Sequence, residues 1–224
     1  MNYQVFPLLQ PKELDAVLSF VSRQTFADGR LTASGMAQAV KNNLQIERTG
    51  PEISEADRIV ISALQRNHDF QNFAFPKRIM MPMYSRYDPG MQYGSHIDNG
   101  IMSSKNGDPL RSDIAITIFL SPPSSYDGGE LAIELPVGEE EIKLDAGEAV
   151  AYSASSIHHV NPVTKGVRLA AVSWVQSTVR SEQLRAILFD LGQAIKRSAG
   201  VGNSELSLLL SKSYHNLLRY AAEP

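Results

Sequence analysis

At 224 residues and 24.6 kDa, the chain can bury one good core, and an all-β or barrel domain of this length needs no second independent domain to explain it. A net charge of -3 and a pI near 6.0, with Lys and Arg spread thinly, leave no basic footprint for a nucleic-acid partner. The absence of cysteine excludes a disulfide scaffold, a thiolate zinc site and cysteine catalysis, so any bound metal must use His and carboxylate ligands.

The opening residues MNYQVFPLLQPKELDAV lack the basic start and continuous apolar core of a signal peptide, and no segment reaches the roughly 18 apolar residues of a membrane span. A cytoplasmic protein with no membrane contact is the expectation. Tyr3 to Leu9 reads as a short strand. Pro11 then opens a helix whose apolar stripe is Leu14, Val17, Leu18 and Val21. Residues 28 to 50 show no clear period and are assigned to loop with one strand at most. A second helix is predicted over Glu52 to Asn67, with Ala56, Ile59, Val60, Ala63 and Leu64 on one face.

Past Phe70 the texture changes to short apolar runs broken by Pro, Gly, Asp and Asn. Strands are predicted at Ile79 to Tyr84, Gln92 to Ile97, Ile114 to Leu120, Glu130 to Leu135, Glu148 to Tyr152 and Val167 to Val175. The segments between them, including NGIMSSKNGDPLRSD, PPSSYDGG, LDAG and NPVTKG, are turn or loop material. This spacing indicates an antiparallel sandwich or jelly roll rather than βαβ units. After Trp174 the helical period returns. Leu184, Ile187, Leu188, Leu191 and Ile195 form one stripe and Leu206, Leu209, Leu210, Tyr214 and Leu217 a second, the pattern of an αα-hairpin. Its leucine-rich surface requires a partner, which is either the rest of the chain or a second copy joined through Leu208, Tyr214 and Leu218.

His96 and Asp98 stand at i and i+2, a spacing that on a strand turns both side chains to one face. An isolated HxD is a weak signal. His158, in a second segment that reads as strand, supplies a third ligand, and two imidazoles with one carboxylate leave open positions on non-haem Fe(II). Ten residues further on, Arg168 is placed to enter the sandwich interior, where a guanidinium is costly unless an anion meets it. A planar fork suits a carboxylate held bidentately.

Tyr87-DPGMQ-Tyr93-GS-His96-x-Asp98, then Gly128-Gly129-Glu130-Leu131, then His158-HVNPVTKGV-Arg168 together resemble the Fe(II)- and 2-oxoglutarate-dependent dioxygenases of the prolyl 4-hydroxylase superfamily. YGSHIDN with SSIHHVNPVTKGVR resembles more closely the bacterial PKHD-type hydroxylases, a group that includes iron-uptake-associated proteins. The resemblance covers roughly residues 78 to 176. It implies a mainly β fold with flanking helices, a double-stranded β-helix core over 78–176, an N-terminal support region over 1–77 and a C-terminal αα-hairpin over 177–224.

The resemblance also implies Fe(II) on His96, Asp98 and His158, and 2-oxoglutarate as co-substrate with its distal carboxylate on Arg168 and Tyr87. L-ascorbate is a candidate addition. The implied reaction hydroxylates a small-molecule or peptide substrate with release of succinate and carbon dioxide. Prolyl hydroxylases proper usually carry Lys at the Arg168 position, so this chain sides with the arginine-bearing branch. Two other readings of the residues stay open: a cupin-like metal enzyme that needs no 2-oxoglutarate, and a non-catalytic interaction sandwich.

Other residues take plainer roles. Tyr93 is expected in the pocket wall, His159 turned away from His158, His68 and His215 outside any site, Gly128 and Gly129 in a tight turn, and Trp174 in the core. Asn99 to Asp113, with Lys105, Asp108, Arg111 and Asp113, directly follows the HxD pair. It is either a lid over the metal face or a solvated hairpin excursion.

Overall fold

The structure, a computed structural model, describes residues 3–47, 54–103, 108–200, 202 and 204–223. Two antiparallel sheets face each other. The larger runs, in spatial order, through Tyr3–Pro7, Glu148–Ser153, Ile114–Phe119, Arg168–Ser177, Met83–Tyr87, Leu44–Ile46 and Phe26–Asp28, with Pro76–Ile79 also paired to Arg168–Ser177. The smaller runs through Gly138–Ile142, Leu131–Leu135, His158–Val160, Gln92–His96 and Lys41–Asn42.

Strand Ile114–Phe119 shows why the larger sheet reads as almost continuously apolar. Ile114, Ile116 and Ile118 face a helical layer, while Ala115 and Phe119 face the smaller sheet, so both faces are covered. The helical core joins Val17, Val21, Val60, Leu64 and Phe70 to Tyr84, Ala171 and Val175 of the sheet. The inter-sheet core joins Val150, Tyr152 and Trp174 to Leu131, Ile133 and Val160. Truncating a fully buried member such as Leu64 to Ala would cost about 2–5 kcal/mol.

The predicted helices form with local capping. Helix Pro11–Val21 carries Pro at its first position, and the Gln10 backbone N–H donates to the Glu13 carboxylate at 2.9 Å. Helix Glu55–Arg66 starts at Ser54, whose hydroxyl accepts from the Asp57 N–H while Asp57 accepts from the Ser54 N–H. Positions 52 and 53 of the predicted span lie outside the described residues. A further helix, His68–Ala74, was not expected; Asn67 caps it by accepting from the Phe70 N–H, and Phe75 ends it in the left-handed region at φ 44°.

Three expectations are corrected. Residues 28 to 47 are not mainly loop: they hold a 3-10 turn, helix Gly35–Ala39 and the two strand pieces Lys41–Asn42 and Leu44–Ile46, each too short to carry a period and each defined by its pairing partner. The predicted strand Ile79 to Tyr84 is two strands divided around Pro82, which has no N–H to give a ladder. Several segments assigned to turns are short strands: Tyr126–Gly128 pairs Val163–Gly166, and Ile101–Ser103 pairs Pro109–Arg111.

At the C-terminus, helices Glu182–Gly200 and Ser204–Ala221 form the expected hairpin. The first packs on helix His68–Ala74, with the Phe73 and Phe189 rings edge-on at 6.1 Å. The second rests on the first, and the backbone N–H of Glu223 donates to the Thr178 carbonyl at 2.7 Å, tying the end of the chain back to the sheet. Among the described residues no helix is long and apolar enough to cross a membrane.

Candidate metal centre

His96 and His158 sit on adjacent strands of the smaller sheet in direct register. Their rings lie 4.3 Å apart, and Asp98 follows two residues after His96. Ligand atoms of His96, Asp98 and His158 all lie within 4.8 Å of one another. Each imidazole is oriented from behind: Nδ1 of His96 lies 2.8 Å from the Gly94 carbonyl and Nδ1 of His158 lies 3.0 Å from the Ser156 carbonyl. Donation from Nδ1 leaves both Nε2 lone pairs for a metal. The Asp98 carboxylate is held from the opposite sheet, where the Trp174 indole N–H donates to Oδ2 at 2.8 Å.

Burial, reinforced by the neighbouring His158, lowers the His96 pKa to about 3, so this imidazole is neutral and available as a ligand at ordinary pH. Burial pushes Asp98 above the usual carboxylate range, against the pull of His158 and the Trp174 N–H. A buried carboxylate beside two imidazoles whose Nε2 atoms face inward is a site arranged for a cation. Tyr93 stacks on His96 at 3.6 Å, the pocket-wall place expected of it. Tyr152 meets the His158 ring edge-on at 5.1 Å.

The centre opens into a cavity of about 600 Å³ between the sheets. Arg168 enters it from the larger sheet at 1% exposure, in register with Tyr87. Its guanidinium carbon lies 5.1 Å from the Tyr87 ring and 5.3 Å from the Phe119 ring. Nε and Nη2 of Arg168 and the hydroxyl of Tyr126 have no hydrogen-bond partner among the described residues. A buried fork of donors with nothing to donate to fits an incoming carboxylate. Burial raises the pKa of both Tyr87 and Tyr126, keeping the phenols protonated.

Gly128 and Gly129 do turn sharply, with φ of +73° and +67°, but they also clear space. A Cβ at Gly129 would stand 3.0 Å from Arg168 Cδ and 2.9 Å from Val163 Cγ2. His159 points away from the centre, where it meets Asn161 at 3.0 Å, and His68 and His215 are exposed and remote from it. Trp174 was expected only as core; its contact to Asp98 is the site function that the pattern did not suggest. In the segment after Asp98, Asn99, Ile101 and Met102 border the cavity, and Arg111 forms a two-pronged pair with Asp113. Lys105 lies outside the described residues.

Two imidazoles and a carboxylate inside a double-sheet core, with a buried arginine that lacks an acceptor for Nε and Nη2 among the described residues, form the ligand set of a non-haem iron oxygenase with room for an anionic co-substrate. The family model of the 2OG-Fe(II) oxygenase superfamily matches residues 82–176, and that of the PKHD-type hydroxylase C-terminal domain matches residues 182–223. The chain is 42% identical over 219 residues to a PKHD-type hydroxylase of Burkholderia ambifaria, covering 96% of each chain. It is 44% identical over 225 residues to one of Picosynechococcus, covering 100% of each. Among solved structures it resembles a Pseudomonas putida prolyl-4-hydroxylase with a TM-score of 0.60 at 19% identity, over 79% of this chain and 92% of that one.

The chain belongs to the PKHD-type hydroxylase family. It is an Fe(II)- and 2-oxoglutarate-dependent dioxygenase that converts its co-substrate to succinate and carbon dioxide.

Proposed function

We infer that His96, Asp98 and His158 hold the iron, that Arg168 and Tyr87 hold the distal carboxylate of 2-oxoglutarate, and that the enzyme hydroxylates a small molecule or peptide. The observation that carries this reading is the pairing of a three-ligand cluster with the partnerless Arg168 fork in one cavity. When bound, iron and 2-oxoglutarate supply the oxidative chemistry that turns a substrate C–H into C–OH.

The chain's own residues do the positioning. The Gly94 and Ser156 carbonyls fix the two imidazoles, the Trp174 N–H holds Asp98, and Arg168 with the protonated Tyr87 receives an anion away from water. In this reading residues 78–176 carry the centre, 1–77 support it and 177–224 form a separate hairpin, with strand pieces from the first part completing both sheets. Asn99, Ile101 and Met102 line the cavity; if the segment they begin is a lid, shortening residues 103 to 109 changes substrate-coupled turnover much more than iron binding, and if it is a solvated excursion neither changes. The protein works in the cytoplasm, with L-ascorbate as an accessory reductant and no nucleic-acid partner.

The terminal hairpin supports a homodimer. Leu206, Leu208 and Leu209 are 44%, 71% and 55% exposed on one helix, with Tyr214 and Leu218 half-buried along it. A screen of metabolite and peptide extracts for succinate release above the uncoupled rate tests the hydroxylase reading. A wild-type protein that binds iron and 2-oxoglutarate while no extract raises succinate release would contradict the proposed substrate classes.

A further inference from the structure

The short segment from Lys41 to Ile46 crosses from the smaller sheet, where Lys41 pairs with Tyr93, to the larger one, where Leu44 pairs with Arg86. It walls one side of the cavity, and its alternation is unusual for an interior: Lys41, Asn43 and Gln45 are buried at 5%, 3% and 4% exposure and line the cavity. Three polar side chains turned inward are costly unless each is met by a partner. Gln45 is met, donating to Ser85 Oγ at 3.0 Å and accepting from the Thr32 hydroxyl. Asn43 is met only loosely: neither atom of its amide makes a hydrogen bond of good geometry among the described residues, and the polar group it interacts with is the Tyr87 phenol.

Lys41 is partly met. Its ammonium donates to Thr32 Oγ1 at 2.9 Å and to Gln45 Oε1 at 3.4 Å, and stands 5.0 Å from the centre of the Tyr93 ring. No carboxylate pairs with it among the described residues. Burial lowers its pKa to about 8, against the opposing pull of Asp98 and Asp28, which still leaves it charged at neutral pH. Arg168 and Lys41 are the two cations lining the cavity among the described residues. 2-Oxoglutarate brings two carboxylates, one for Arg168 and one for the metal, so neither is needed by Lys41, whose charge feels only the more distant Asp98 and Asp28.

We propose that Lys41 and Asn43 form the substrate-recognition wall of this site, and that the substrate carries a carboxylate received by Lys41 with a neighbouring polar group received by Asn43. This rests on the reading that the cavity holds iron and 2-oxoglutarate. A single ammonium beside a neutral amide matches a monoanion; a phosphate dianion would call for more positive charge than this wall offers.

The test uses the full-length protein loaded with Mn(II) and saturating 2-oxoglutarate under anaerobic conditions, so that Arg168 is already engaged. A panel of N-acetyl amino acids and their carboxamides is titrated, with binding read from the paramagnetic relaxation of probe protons near the metal. The expected result is that at least one acid binds 10-fold or more tightly than its carboxamide, that Lys41→Met and Lys41→Gln reduce this preference to within twofold, and that Lys41→Arg retains it. The Kd of 2-oxoglutarate stays within twofold in all three variants. The proposal is overturned if no acid outbinds its carboxamide, if the preference survives in both neutral variants, or if those variants weaken 2-oxoglutarate 10-fold, which would assign Lys41 to the co-substrate. Failure of the wild type to bind Mn(II) and 2-oxoglutarate would instead overturn the underlying assignment of the cavity.

Discussion

The indole N–H of Trp174 reaches across the sandwich to the Asp98 carboxylate at 2.8 Å, so a residue of the larger sheet sets the angle of a ligand carried by the smaller one. Trp174→Phe keeps most of the inter-sheet packing and removes this hydrogen bond. Loss of a partner behind a metal ligand typically weakens metal binding about 10–100-fold. Titration of the variant with Mn(II) should show a loss in that range while circular dichroism stays that of the wild type.

Arg168 is a buried cation without a hydrogen-bonding acceptor for Nε or Nη2 among the described residues, so in the free protein it opposes folding rather than supporting it. Arg168→Leu should therefore leave the melting temperature of the ligand-free protein unchanged or raised. The same change should weaken 2-oxoglutarate by about 2–5 kcal/mol, the usual loss when one side of a buried charge pair is removed. Thermal melts with and without 2-oxoglutarate, at fixed metal, read both effects; a fall in ligand-free stability with co-substrate affinity intact would contradict this role.

Gly129 combines a left-handed φ of +67° with a Cβ position 3.0 Å from Arg168 Cδ. Gly129→Ala should cost about 1–3 kcal/mol of stability through backbone strain and overpacking. Because the displaced neighbour is the stem of Arg168, 2-oxoglutarate affinity should fall more than Mn(II) affinity. Equal loss of the two would place the damage in the fold rather than at the arginine.

Much of this site was legible because its chemistry follows short spacings. His96 and Asp98 share a face through the period of a strand, and Arg168 was readable as inward because Leu169 and Ala171 alternate with it against the helical layer. What could not be read depends on contacts between sheets. Nothing local to VSWV indicates that Trp174 meets Asp98, 76 residues away. Lys41, Asn43 and Gln45 do alternate at period two, but in polar letters, where the hydrophobic signal that marks a strand is absent. The strand Gly138–Ile142 was missed for a related reason: four of its five residues are exposed at a sheet edge, and GEEEI has no apolar alternation to detect.

The lowered pKa of His96 predicts how acid acts on the metal-free protein. With a folded value of about 3 against an ordinary 6.5, the unfolded chain binds more protons between those values, so stability rises with pH across that window and is lost as pH falls through it. Urea unfolding of metal-free protein at a series of pH values from 7 to 4 should show this decline, and His96→Gln should flatten it. Because the raised Asp98 contributes a slope of opposite sign at the acid end, the His96 share is read from the difference between the two profiles, and identical slopes in wild type and His96→Gln would contradict the lowered pKa of His96.

The roles assigned to the three ligands and to Arg168 are tested most directly by anaerobic titration with Fe(II) and 2-oxoglutarate, followed by visible absorption. Wild-type protein should develop the weak charge-transfer band of the bound pair. Asp98→Ala should lose the band together with iron affinity, and Arg168→Leu should bind iron but require far more 2-oxoglutarate to develop it. No band in the wild type, or an undiminished band at the same concentrations in both variants, would contradict the assignment.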